Sequence, residues 1–297
     1  MHVGHAGYGA QAREHQQGGA LAFLRACWAS GWLEYRNLRY YPTNLGLAAV
    51  QELTTVGVWY FVARFLHSAA DASVAQYGGN YLAFVGLGVL LNQVALAALT
   101  GPFQTVSEAF WDKRLETYRL SIHGIWANVT GRLAWRVAFS SVLQFGALVI
   151  LIAIGAIRIH AGIHVELALL ALLLLVVANA GLGIAGASLF FLLEVKNGSD
   201  PITWAYKYLV MLAAGLYVPV VLLPVWLRAV GAALPQTYAF AAERSIVLTG
   251  AGWSQGSVGH DLIGLALGAL VALGAGCVML NLALRRAERQ GGIGVVV

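Results

Sequence analysis

Apolar residues occur in long blocks along this chain. Six of them, 44–67, 79–101, 130–157, 165–193, 203–224 and 260–284, carry few charges. Each is about twenty residues or more, which as a helix rising about 1.5 Å per residue crosses roughly 30 Å of hydrocarbon. In lipid such a block must be helical, because every backbone group needs a partner inside its own segment. Residues 20–41 follow another pattern. Leu21, Leu24, Trp28, Trp32 and Tyr35 recur every three or four positions, with Arg25, Glu34, Arg36 and Arg39 between them. This stripe predicts an amphipathic helix lying in the headgroup region, ended at Pro42. The predicted fold class is an all-α polytopic membrane protein with six transmembrane helices and an N-terminal interfacial helix.

Two connections depart from ordinary loops. Between the second and third blocks, "SEAFWDKRLETYRLS" (107–121) mixes charges with aromatic residues and predicts a charged helix over 107–120. Between the fifth and sixth, 225–259 contains the apolar stretch "WLRAVGAALPQTYAFAAERSIVLTG". Helical segments dipping part-way into the bilayer, a re-entrant hairpin, fit it better than an exposed loop, since irregular backbone at that depth needs cover. The flanks, 1–19 and 287–297, are predicted to be tails, the first of them disordered.

Composition sharpens this picture. The chain of 297 residues is 59% hydrophobic and only 10% charged, against about 25% charged in soluble domains. Too little polar surface remains to face water on all sides, so lipid is a partner. With the N-terminus inside, fourteen of the eighteen lysines and arginines fall on one side of the six spans. The bias of basic residues toward the cytoplasm then predicts that both termini are cytoplasmic. Cys27 and Cys277 lie in separate helical segments and read as small buried hydrophobes.

Several patterns that imitate chemistry read better as packing. "GLGIAG" (181–186) matches a dinucleotide fingerprint but sits inside an apolar block with no strand before it, and small residues there let helices approach closely. Gly264 and Gly268 read the same way. His160, His164 and Glu166 lie close together on a short turn, without the H-E-x-x-H spacing of a metalloprotease. Ser188 lacks a following glycine, and His260 lies in a different region. No catalytic group, metal site, nucleotide site or nucleic-acid partner is predicted.

Polar residues inside the apolar blocks are the stronger signal. Glu52 lies about two turns into the first block, where a carboxylate costs roughly 2.5 kcal/mol or more unless it meets a partner or water. Asn92, Gln93, Gln144 and Asn179 are amides in other blocks. Two readings stand for these residues: the lining of a substrate path, or hydrogen bonds between helices. Glu243 and Arg244 are adjacent charges in the outer connection, about 100° apart on a helix, so each needs its own partner. They read either as part of a gate at a wet outer boundary or as an interfacial anchor.

The order of elements resembles the permease subunit of type-2 ATP-binding-cassette exporters. Three stretches carry the resemblance: "YGGNYLAFVGLGVLLNQVALAAL" at the second block, "SEAFWDKRLETYRLSIHGIW" in the place of the inner coupling segment, and the run from "FLLEVKNGSDPITWAY" to "QTYAFAAERSIVLTG". In the coupling segment Leu115-Glu116 stands as in the family, while Lys113-Arg114 replaces Gly-Thr and no proline follows. The resemblance implies a non-catalytic subunit in a bacterial inner membrane that exports an amphipathic or lipidic substrate by alternating access: a lipid-linked glycan, a lipophilic drug or a peptide. It implies two partner ATPase subunits that bind ATP and Mg, and a second permease, identical or homologous. Glu108, Asp112, Lys113, Arg114 and Glu116 would contact the ATPase. Glu52, Asn92, Gln93, Asn179, Glu243 and Arg244 would line or gate the path. The rival readings are a membrane-embedded lipid-modifying enzyme and a passive channel or scaffold.

Overall fold

The computed structural model describes residues 19–112, 114, 124–192 and 201–289, without the side chains of 44, 52, 66–70, 190–192 and 287–289. Most of the predicted tails, 1–18 and 290–297, and most of the charged connection after residue 112 therefore lie outside the described residues, while 287–289 continue the last helix. The described elements are all helical: α1 (Ala20–Tyr40), α2 (Pro42–Ser73), α3 (Tyr81–Trp111), α4 (Gly124–Ala153), α5 (Val165–Leu192), α6 (Pro201–Ala213), α7 (Val225–Ala232), α8 (Pro235–Thr249) and α9 (Val258–Arg289), with single 3-10 turns at Ala75–Tyr77 and Val220–Leu222.

Five of these, α2, α3, α4, α5 and α9, are long and apolar enough to cross a membrane. The predicted span 203–224 does not form as one helix. α6 stops at Ala213 after 13 residues, about 20 Å at 1.5 Å per residue. Gly215 then adopts a left-handed φ of +77°, and Pro219 and Pro224 remove two backbone donors within the next ten residues. The helical ladder cannot continue through that combination.

α3 is the centre of the bundle. Phe84, Val85, Leu99 and Val106 along it are fully buried. α4 packs on one side of it, and α5 lies between it and α9. The glycines of "GLGIAG" set the spacing of that layer. A Cβ on Gly183 would stand 2.2 Å from the Leu99 carbonyl oxygen, and one on Gly276 equally close to the Gly181 oxygen. Helix backbones thus touch where a side chain would hold them apart. Gly264 and Gly268 of α9 likewise receive Tyr238 and Pro235 of α8.

Outward faces are apolar, as lipid requires. Phe65 on α2 is 90% exposed, and Leu270 and Val271 on α9 are also far out. α1 keeps the predicted stripe outermost, with Leu21, Leu24, Trp28 and Trp32 exposed. Its other face lies against α4, where a Cβ on Gly131 would fall 2.1 Å from the Cys27 carbonyl oxygen. Cys27 Sγ also meets Thr130 Oγ1 at 3.1 Å.

Candidate functional site

Polar and charged side chains gather at three places, and α3 reaches all of them or the helices that bear them. The first is at the α3 start. Asn80 caps the helix by accepting from the Ala83 N–H, and the Asp71 carboxylate accepts from the Tyr81 N–H at 2.9 Å. One turn on, Arg244 of α8 reaches in, only 2% exposed. Its Nε donates to the Phe84 carbonyl at 3.0 Å. Nη1 and Nη2 donate to the Gly215 and Leu216 carbonyls at 2.7 and 2.8 Å. The guanidinium lies 3.5 Å over the centre of the Phe84 ring. Gly88 makes room, because a Cβ there would stand 2.3 Å from Nη2.

The unwound stretch after α6 is therefore held by its neighbours. Arg244 supplies the N–H groups that a continuing helix would have supplied to those carbonyls. Tyr81 donates its hydroxyl to the Tyr217 carbonyl at 3.1 Å. Trp59 of α2 stacks on the Tyr217 ring with centroids 4.2 Å apart. Glu243, the other member of the pair, is 4% exposed, and burial raises its carboxyl above the usual carboxylate range. The expectation of a charged pair at a wet boundary is overturned: both side chains are in the protein interior. The two do diverge, as consecutive helical positions must.

A second group is a chain of neutral polar residues joining α6, α8 and α5. The Tyr206 hydroxyl donates to Gln236 Oε1. Gln236 Nε2 donates to Asn179 Oδ1 at 2.6 Å, and Asn179 Nδ2 to the Leu175 carbonyl at 2.8 Å. All three side chains are buried. Asn179, fully buried, thus bonds between helices. Gln236 was invisible to the sequence reading, having been counted with the outer connection.

At the far end of α3 four charges interlock. Arg132 of α4 places Nε 3.1 Å from Glu34 Oε1 and Nη1 2.9 Å from Glu108 Oε2. Arg136, one turn on, places Nη2 2.9 Å from Glu34 Oε1 and 3.0 Å from Glu108 Oε1. Arg136 Nη1 also donates to Gln104 Oε1. Two arginines and two glutamates cancel, and they fasten α1, α3 and α4 together. Glu108, read as an ATPase contact, instead turns its carboxylate to these arginines. Asp112 and Arg114 are both exposed and 3.6 Å apart. Lys113 and Glu116 lie outside the described residues, as does the Glu52 side chain.

From this cluster a groove of about 550 Å³ runs up between α2, α3 and α4. Gln93, Thr100 and Gln104 line it from α3, at helical spacings of seven and four. Ser140 and Gln144 face them from α4, and Gln51 from α2. Gln93 is half-buried there, and Ser140 Oγ donates to its carbonyl at 3.4 Å. Asn92, its neighbour, is half-buried but does not line the groove. Gln51, Thr100, Gln104 and Ser140 were not singled out from sequence. The 93, 100, 104 spacing was the available signal.

At the turn after α4, the His160 ring covers Gly250, which has φ +70°, and the His160 backbone N–H donates to the Val247 carbonyl at 3.1 Å. His164 Nδ1 is 3.1 Å from Glu166. No third histidine, cysteine or carboxylate joins them within reach of a metal among the described residues. No protein-family model matches this chain, and no characterised protein matches it in sequence.

Proposed function

We propose that the chain is the membrane permease subunit of an ATP-driven exporter that moves an amphipathic or lipidic substrate out of the cytoplasm by alternating access. The observation that carries this reading is the order of its elements. An interfacial helix precedes two long helices, and a charged connection leads to two more. A broken helix and two short helices follow before the last span. That order is the one on which the resemblance to type-2 exporter permeases rests.

In this reading the unwound 214–224 stretch completes a sixth crossing, and α7 and α8 form a re-entrant cap that Arg244 pins to α3. The charged connection faces the cytoplasm of a bacterial inner membrane, as do both termini. Two ATPase subunits bind ATP and Mg there, and a second permease completes the path. Asp112, Lys113, Arg114 and Glu116 contact the ATPase, while Glu108 passes the motion to α4 and α1 through Arg132 and Arg136.

Two measurements test it. A membrane-impermeant maleimide should label Lys113→Cys only from the cytoplasmic side. Paired Lys113→Glu and Arg114→Glu substitutions should abolish transport while ATP hydrolysis continues. Labelling from outside, or normal transport by the doubly reversed protein, contradicts the assignment.

A further inference from the structure

We infer that the groove between α2, α3 and α4 binds a neutral, hydroxyl-rich headgroup whose apolar part stays in contact with lipid. Its walls give the chemistry. Gln93 and Gln104 lie eleven residues apart on α3, so the polar lining extends about 16 Å along the helix. The Ala97 and Leu143 side chains separate the polar groups, which gives the mixed lining that an amphiphile needs.

Charge is balanced among the described residues that line the groove. Arg136 is the one cation among the described residues that line it, and Glu34 and Glu108 hold its guanidinium at 2.9 and 3.0 Å. An anionic or cationic headgroup therefore gains no unpaired partner there, and leaving water would cost it solvation.

Hydrogen-bond polarity narrows the class further. Thr100 Oγ1 donates to the Leu96 carbonyl at 2.9 Å, and Ser140 Oγ to that of Gln93. Their hydrogens are directed to the chain, so their lone pairs are what they offer the groove. Gln144 is 6% exposed, and its Oε1 accepts from no donor among the described residues. A buried acceptor without a protein donor gains from any group that donates to it. The groove thus presents lone pairs alongside the amide N–H groups of its glutamines, a mixed set that a hydroxyl, both donor and acceptor, can match. Sugar hydroxyls donate; phosphodiester and quaternary ammonium groups do not. As a statement about exported cargo this rests on the permease reading, but as a statement about a binding site it does not.

The test uses full-length protein in phosphatidylcholine nanodiscs and equilibrium retention of radiolabelled dodecyl maltoside. Dodecylphosphocholine carries the same tail on a headgroup without donors. We expect saturable maltoside binding at least about tenfold tighter than phosphocholine binding, and Gln144→Leu should weaken it by about tenfold or more. Without ligand, Gln144→Leu should melt at the wild-type temperature or above, since it removes a buried acceptor that no protein donor meets among the described residues. Ala97→Phe, which leaves every polar group in place and fills the space, should abolish retention. Free labelled maltose separates the sources: retention of both probes means a soluble polyol, and retention of the maltoside alone a lipid-borne one.

Equal affinity for phosphocholine overturns the inference. So does wild-type binding by Gln144→Leu, which would leave that acceptor to an ordered water, or a lowered melting temperature for that variant, which would make Gln144 structural. The assay needs no ATPase. Failure of transport coupling with retained maltoside binding counts against the permease reading alone, and loss of binding with intact coupling against the site alone.

Discussion

The two ends of α3 handle arginine in opposite ways. Near Phe84, Arg244 is buried among three backbone carbonyls and a phenyl ring. Near Glu108, Arg132 and Arg136 are each shared between two carboxylates, and Glu108 is 45% exposed. The first site sets one cation against neutral dipoles. Its strength depends on a fixed fork of donors meeting fixed oxygens, and bulk salt has little access to it. The second balances charge against charge, and only Glu108 reaches a partly wet edge, where water and salt have access. One end of α3 holds an unwound helix by neutral dipoles, and the other holds its neighbours by paired charges that salt can reach.

The largest effect should come from breaking the Arg244 end. Arg244→Met strips donors from three buried carbonyls and should cost about 3–5 kcal/mol, read as thermal unfolding in nanodiscs. Arg244→Lys should recover part of that loss, because it restores a charge without the fork. Gly88→Ala is a subtler wedge. Its Cβ would meet the guanidinium at 2.3 Å and the Leu216 oxygen at 3.2 Å, an overpacking worth about 1–3 kcal/mol.

At the paired-charge end, Glu34→Gln leaves Arg132 and Arg136 short of a carboxylate and should free α1 from α4. In a Cys277→Ala background, Cys27, which faces Thr130 at 3.1 Å, should react with maleimide several-fold faster. Salt at 1 M, where the Debye length is about 3 Å, should produce part of the same rise in wild type and none at Arg244. Unchanged Cys27 reactivity in both arms would mean that the cluster does not hold α1.

pH sharpens the contrast. Glu243 lies on α8, outside the five long helices, and burial raises its carboxyl. The folded state therefore holds this proton more tightly than the unfolded state. The stabilisation is complete below the unfolded value of about 4.3 and is lost as pH rises through the folded value. Stability should fall across that window, and Glu243→Gln should flatten the fall. The smallest effect belongs to Asp112→Asn: its partner is exposed, and the change should stay within about 0.5 kcal/mol.

Much of the architecture was legible in the chain. Five of the six predicted spans map onto α2, α3, α4, α5 and α9 because length and apolarity alone decide a crossing. The third long helix, α4, is already helical at Gly124, six residues before the predicted start of its span, and Asn128 there is buried. The fifth block misled because Gly215, Pro219 and Pro224 sit in an unbroken apolar run, and hydropathy does not register lost donors or left-handed backbone. Arg244 misled for a related reason. A charge beside a charge reads as surface, and only the unwound carbonyls of another element, some 28 residues away in sequence, explain its burial. Gln51, Thr100, Gln104 and Ser140 depend on the relative rotation of three helices, which no single segment encodes.

The most direct test of the central claim, a lipid-immersed gate driven by a separate motor, is ATP hydrolysis by the purified assembly. The tagged chain is extracted from its native membrane and probed for a bound subunit carrying G-x-x-x-x-G-K-[ST]. The account predicts that this subunit co-purifies, that hydrolysis occurs only when it is present, and that cargo raises the rate. A chain that moves cargo uphill by itself, or a complete absence of such a partner, would contradict it.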